Sequence, residues 1–78
     1  MLEDNIKMFP NPTNGMLVVE NAKDNVLNIY NTMGAVTLST NIKTNRMKLD
    51  LSMLAKGNYM LVSLKNGIVT GKQLLVRN

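Results

Sequence analysis

The chain has 78 residues, with nine Lys and Arg against five Asp and Glu, so it carries a net charge of +4 at neutral pH; it holds no Cys, His or Trp. That length allows one domain, 1–78, and at such a size folding hides only roughly 60% of the surface that the unfolded chain exposes. The missing residue types exclude a disulfide framework, a Cys/His zinc site, a thiolate nucleophile and an imidazole base.

Alternation with a period of two dominates, and no helical spacing lasts beyond one turn. Residues 1–6 read as a linker or strand lead-in. Ile6–Phe9 is a short strand that stops at Pro10, which has no donor for a ladder. In Pro10-Asn11-Pro12-Thr13-Asn14-Gly15 two prolines fix φ at about −65°. Thr13, Asn14 and Gly15 then close a turn. Locally the segment is a rigid connection, and its spacing alone implies no ligand.

Met16–Val19 is apolar, and Val26–Tyr30 places Leu27 and Ile29 on one face, with Tyr30 as half-buried packing. Gly34 separates that strand from Val36–Ser39. Met47, Leu49 and Leu51 alternate with Lys48 and Asp50, the clearest in/out pattern in the chain. Asn21–Asn25 and Thr40–Asn45 are polar connectors.

Leu51–Lys56 has fair helix propensity, but Gly57 ends it after one turn, so the segment reads as a crossover between sheets. Tyr59 stands where sandwich domains place a corner tyrosine, whose hydroxyl bonds back to the connection. Tyr59–Leu64 and Leu74–Val76 are further strands. Asn14-Gly15 and Asn66-Gly67 favour the positive φ of type I′ turns. About seven short strands at this spacing predict an all-β antiparallel sandwich or barrel. Alternation along the last strand puts Leu74 and Val76 inward and Gln73, Leu75 and Arg77 outward.

Several chemistries lack support. The basic residues are dispersed with no adjacent run, and only Phe9, Tyr30 and Tyr59 offer aromatic rings, which argues against nucleic acid. No apolar run approaches the roughly 20 residues of a membrane span. Met1-Leu2-Glu3-Asp4 is acidic where a secretory signal is basic. Both a cytosolic protein and a domain whose signal lay far upstream fit that beginning. The carboxylates show no metal-ligand spacing, and Gly67–Gln73 fails as a phosphate loop in both spacing and context. The seven methionines read mainly as gap-fillers of a small core. No catalytic, cofactor or metal residue is assigned.

Four segments occur in a characteristic order: Phe9-Pro10-Asn11-Pro12-Thr13-Asn14-Gly15; Ile29-Tyr30-Asn31 with Gly34; Leu49-Asp50-Leu51-Ser52 with Leu54, Gly57, Asn58 and Tyr59; and Lys72-Gln73-Leu74-Leu75-Val76. Together they resemble the C-terminal sorting domain of type IX secretion cargo, from about Lys7 to Asn78. The resemblance implies a small Ig-like β-sandwich at the end of a larger precursor. It implies transit through the periplasm, recognition by the outer-membrane translocon, and removal by a sortase-like protease at the cell surface.

By position, Pro10, Asn11, Pro12, Gly15, Gly34, Gly57 and Tyr59 carry the mainly structural motif. Lys72, Leu74, Leu75, Val76, Arg77 and Asn78 carry the export signal. The cleavage site is expected near or before residues 1–6. An exposed edge on the last strand would let a partner add a strand, and carries a risk of strand swapping, so a monomer or a strand-swapped dimer is expected. The alternatives are a glycan-binding or adhesion sandwich and a retained Ig-like docking module; an enzyme fits least.

Overall fold

The computed structural model describes residues 6–78. Most of the expected lead-in, and the cleavage region assigned to it, lie outside the described residues.

Seven strands follow in chain order: β1 (Lys7–Phe9), β2 (Met16–Glu20), β3 (Val26–Tyr30), β4 (Val36–Asn41), β5 (Arg46–Asp50), β6 (Gly57–Lys65) and β7 (Ile68–Arg77). They form two antiparallel sheets, one ordered β1-β2-β5 and one ordered β4-β3-β6-β7. This strand order is that of an Ig-like sandwich with a three- and a four-stranded layer.

The core lies between the layers. Met8, Leu17, Val19 and Leu49 of the smaller sheet face Leu27, Ile29, Tyr59, Leu61 and Leu75 of the larger one. Ala22, Ile42, Leu51 and Leu54 close it from the connections, so both polar connectors contribute a buried apolar side chain. The methionines depart from their expected role: Met8 is buried and Met47 packs on the core, but Met16, Met33 and Met53 are exposed.

Two dipeptides with the same sequence behave differently. Asn66 and Gly67 have φ of 54° and 79°, the left-handed pair that a tight hairpin requires. In Asn14-Gly15 only the glycine has positive φ, at 135°. There the Thr13 hydroxyl closes the turn instead. Its Oγ1 accepts from the Gly15 amide at 3.1 Å and donates to the Met16 carbonyl at 2.6 Å.

The 51–56 crossover is a turn without a helix, with Leu54 N donating to Leu51 O at 3.0 Å. Tyr59 makes the expected corner: its hydroxyl donates to the Ala55 carbonyl at 2.5 Å.

The final strand corrects the sequence reading. It is a single ten-residue strand. Ser63 pairs with Gly71 and Leu64 with Val69, so Thr70 is an extra residue in the ladder. Register with β6 then sets Leu75 opposite Tyr59 and Leu74 opposite Met60. Leu75 is therefore 0% exposed, whereas Leu74 is 65% and Val76 38% exposed. Gln73 and Arg77 share the inner side with Leu75 and are half-buried. The expected alternation is inverted because both faces of β7 carry apolar residues, and pairing with β6 decides between them.

Candidate functional site at one end of the sandwich

The chain's direction through the two sheets brings the distinctive segments together. β1 ends, β2 begins and β5 ends at one pole of the smaller sheet. At the same pole of the larger sheet β3 ends, β4 and β6 begin and β7 ends. The Pro10–Gly15 loop, the turn containing Gly34, the 51–56 crossover leading to Gly57 and Tyr59, and the tail Leu74–Asn78 all converge there.

β7 is the outermost strand of its sheet, as expected, but its outer edge is not bare. The Pro10–Gly15 loop lies along it. Asn11 acts through its side-chain amide as a surrogate peptide group. Its Nδ2 donates to Leu74 O at 2.6 Å, and its Oδ1 accepts from Val76 N at 3.0 Å. Thr13 then continues with its own backbone: Thr13 N donates to Val76 O at 2.8 Å, and Asn78 N donates to Thr13 O at 2.9 Å. Thr13 is fully buried and forms a parallel bridge with Arg77. Pro10 and Pro12 bring no N–H to this loop, and both are preceded by cis peptide bonds.

The inner side of the tail is tied down as well. Gln73 Nε2 donates to Met8 O at 2.9 Å and so bridges to β1 of the opposite sheet. Arg77 Nε donates to Leu51 O at 3.3 Å, and its guanidinium also reaches the Ser52 and Asn78 carbonyls. Asn78 Nδ2 donates to Asn14 Oδ1 at 3.3 Å. Leu51 N donates to Gly15 O at 2.6 Å, which ties the crossover to the first loop. An added Cβ at Gly15 would find ordinary contact distances to Ser52 and Arg77, so backbone conformation rather than space requires the glycine.

Asp50, at the end of β5, also stands at this pole. Asp50 Oδ1 accepts from Ser52 N at 2.9 Å. Hydrogen bonds from the Ser52 side chain and backbone hold its carboxyl below the ordinary value of 3.8, and the nearby Arg77 charge acts in the same direction.

Among the expected site residues, the pole unites Pro10, Asn11, Pro12, Gly15, Gly57, Tyr59, Arg77 and Asn78. Gly34 stands in the β3–β4 turn at the same pole, with no contact that an added Cβ would meet within 4 Å. Lys72 lies further along β7, opposite Val62. Leu75 is core and offers no surface. Thr13 was legible only as a turn former; its burial between loop and tail depends on a partner more than sixty residues away, which local pattern does not reveal.

The family model described as the secretion system C-terminal sorting domain matches residues 7–77. The chain belongs to this family of type IX secretion sorting signals. A precursor carrying such a domain is exported to the cell surface or secreted, and the domain engages the secretion machinery. Neither the curated proteins nor the solved structures provide a match.

Proposed function

We propose that this domain directs an attached cargo, by way of the periplasm, through the outer-membrane type IX translocon. In this reading Lys72–Asn78 is the segment the translocon reads. A sortase-like protease then removes the domain upstream of the sandwich. The observation that carries the proposal is convergence. Three motif segments meet around the fourth, the tail, whose backbone is held in a fixed conformation by Asn11 and Thr13. A pre-ordered segment loses less conformational freedom when a partner binds it than a disordered one does.

The test is export of a periplasmic reporter in a host with the type IX system, with and without this chain fused to the reporter's C-terminus. Surface display that requires the fusion is the expected result. Reporter held in the periplasm in both cases defeats the reading. A second fusion lacking Arg77 and Asn78, whose fold is checked by thermal melting, addresses the tail. Folded yet unexported protein is expected, and normal export removes those two residues from the signal. Surface reporter shorter than the fusion is the expected sign of proteolysis; full-length surface reporter favours a retained docking module.

A further inference from the structure

β1 and β5 border the smaller sheet, and β4 and β7 the larger one. A bare strand edge pairs with other strands, and proteins blunt it with short length, charge, bulges or covering segments. All but one of these edges are blunted. β1 is only three residues long, runs into Pro10 and is held by Gln73. β5 carries Arg46, Lys48 and Asp50, all exposed. β7 is covered at its tail by Asn11 and Thr13, and its first half carries the Thr70 bulge and Lys72.

β4 differs. Val36-Thr37-Leu38-Ser39-Thr40-Asn41 holds no charge and no proline, and its bulge sits at Thr37, which leaves Leu38–Asn41 in regular register with β3. Ile42 N donates to Asn25 O at 2.8 Å. Backbone direction alternates along an antiparallel ladder, so Thr40 and Leu38 also turn their peptide groups towards β3. Ser39 and Asn41 turn theirs outward, where no strand lies among the described residues. The sequence here is a palindrome in chemical class. Leu38-Ser39-Thr40-Asn41-Ile42 reads apolar, polar, Thr, polar, apolar in both directions. Antiparallel pairing of two copies about Thr40 therefore matches every position. Ser39 faces Asn41 of the other copy, Leu38 faces Ile42, and Thr40 faces itself, a favourable cross-strand pair. Ser39 Oγ donates to Asn28 Oδ1 at 2.6 Å, which leaves its lone pairs to accept from the opposing Asn41 amide. Lys43 falls opposite Thr37, so no like charges meet.

We infer that two copies of this chain join through β4, antiparallel and centred on Thr40, into one continuous sheet. Ser39 and Asn41 of each copy exchange their outward backbone bonds with Asn41 and Ser39 of the other. The pairing is isologous, so it closes at the dimer. A bare ladder takes an extended backbone, not a lipid layer, and the palindrome singles out a second copy among possible strands. No strand is exchanged, unlike a swap through β7. The dimer is independent of the sorting reading.

Sedimentation equilibrium of the purified chain is expected to show the mass growing from monomer towards dimer as concentration rises. Ser39→Pro removes an outward N–H at a position where an edge strand tolerates proline, and thermal melting checks its fold. The dimer is expected to weaken about tenfold or more, since each copy loses one bond. Cross-linking reads the register, because the chain has no Cys of its own. Thr40→Cys sets two thiols across a non-hydrogen-bonded pair, roughly 4.5 Å apart at Cα and within disulfide reach. Oxidised glutathione is expected to convert that variant to a covalent dimer. Val36→Cys is expected to cross-link far less, since position 36 of one copy lies well away from position 36 of the other. Should Ser39→Pro fail to fold, the cross-linking pair decides alone. Monomer at every concentration overturns the dimer; if Ser39→Pro then also blocks display of the reporter fusion, the edge pairs with another protein's strand instead. A dimer that survives Ser39→Pro, or cross-linking through Val36→Cys rather than Thr40→Cys, overturns the β4 seam. A dimer lost on removing Arg77 and Asn78 but not with Ser39→Pro overturns it in favour of a swapped β7.

Discussion

Leu74 and Leu75 differ in consequence because of a hydrogen-bonded register, not because of their chemistry. Leu75 packs fully buried among core residues of both sheets. Leu75→Ala is expected to cost about 2–5 kcal/mol, the usual range for a buried leucine. That is a large share of the about 5–15 kcal/mol that holds a typical domain together. Leu74→Ala is expected to fall within about 0.5 kcal/mol of wild type, as surface changes do. Urea unfolding of both variants checks the assignment, and a larger loss for Leu74→Ala than for Leu75→Ala would mean that the strand faces had been exchanged. Tyr59 gives a separate check. Tyr59→Phe keeps the ring in the core and deletes only the bond to Ala55. A loss of about 0.5–1.5 kcal/mol is expected from the same measurement.

At the scale of elements, the Pro10–Gly15 loop serves as a short, donor-poor strand laid on β7. Asn11→Ala removes two of its bonds, one accepted from Val76 N and one donated to Leu74 O. Hydrogen exchange at the Val76 amide is then expected to accelerate about tenfold, the equivalent of one well-formed bond. The amide of Asn78, held by Thr13 O, is expected to change less. Equal acceleration at both would mean that Asn11 and Thr13 hold the tail as one unit. This contact also marks where sequence reading stops. β3 was legible to the residue, because Leu27 and Ile29 flank Asn28 on one face between clear turns. The crossover was legible through Gly57, and the corner through Tyr59. β7 was legible only as apolar fragments, since Thr70, Gly71, Lys72 and Gln73 interrupt the pattern in the middle of the strand. Its inward face was misread because Leu74-Leu75-Val76 supports either phase, and only pairing with β6 separates them. The loop-to-tail bonds join residues 63 and 65 positions apart. No local period encodes such a contact.

For the whole molecule, the absence of disulfides leaves stability to a small core and to the balance of charge. Acid shifts that balance, because the nine cations lose their five opposing carboxylates as pH falls. Most of this repulsion is diffuse, but Asp50 makes a specific contribution. Its folded-state pKa lies below the ordinary 3.8, first because of the Ser52 hydrogen bonds. A carboxyl depressed on folding adds stability that is fully present above its ordinary pKa and is lost as pH falls through the folded value. The loss therefore begins near pH 3.8 and completes below it. Asp50→Asn keeps an oxygen that can accept from Ser52 N but removes the charge. The variant is expected to be less stable than wild type at neutral pH, with the gap closing below pH 3.8. Urea midpoints measured at neutral pH and in acid decide the matter. A gap that persists unchanged in acid would show that Asp50 acts by shape alone. Because Asp50 leads directly into the crossover that Arg77 holds, the same acid titration should loosen the pole where the tail is fixed. Faster exchange at Leu54 N, which bonds to Leu51 within that crossover, is the accompanying sign expected in acid, relative to amides of the β3–β6 ladder, after correction for intrinsic rates.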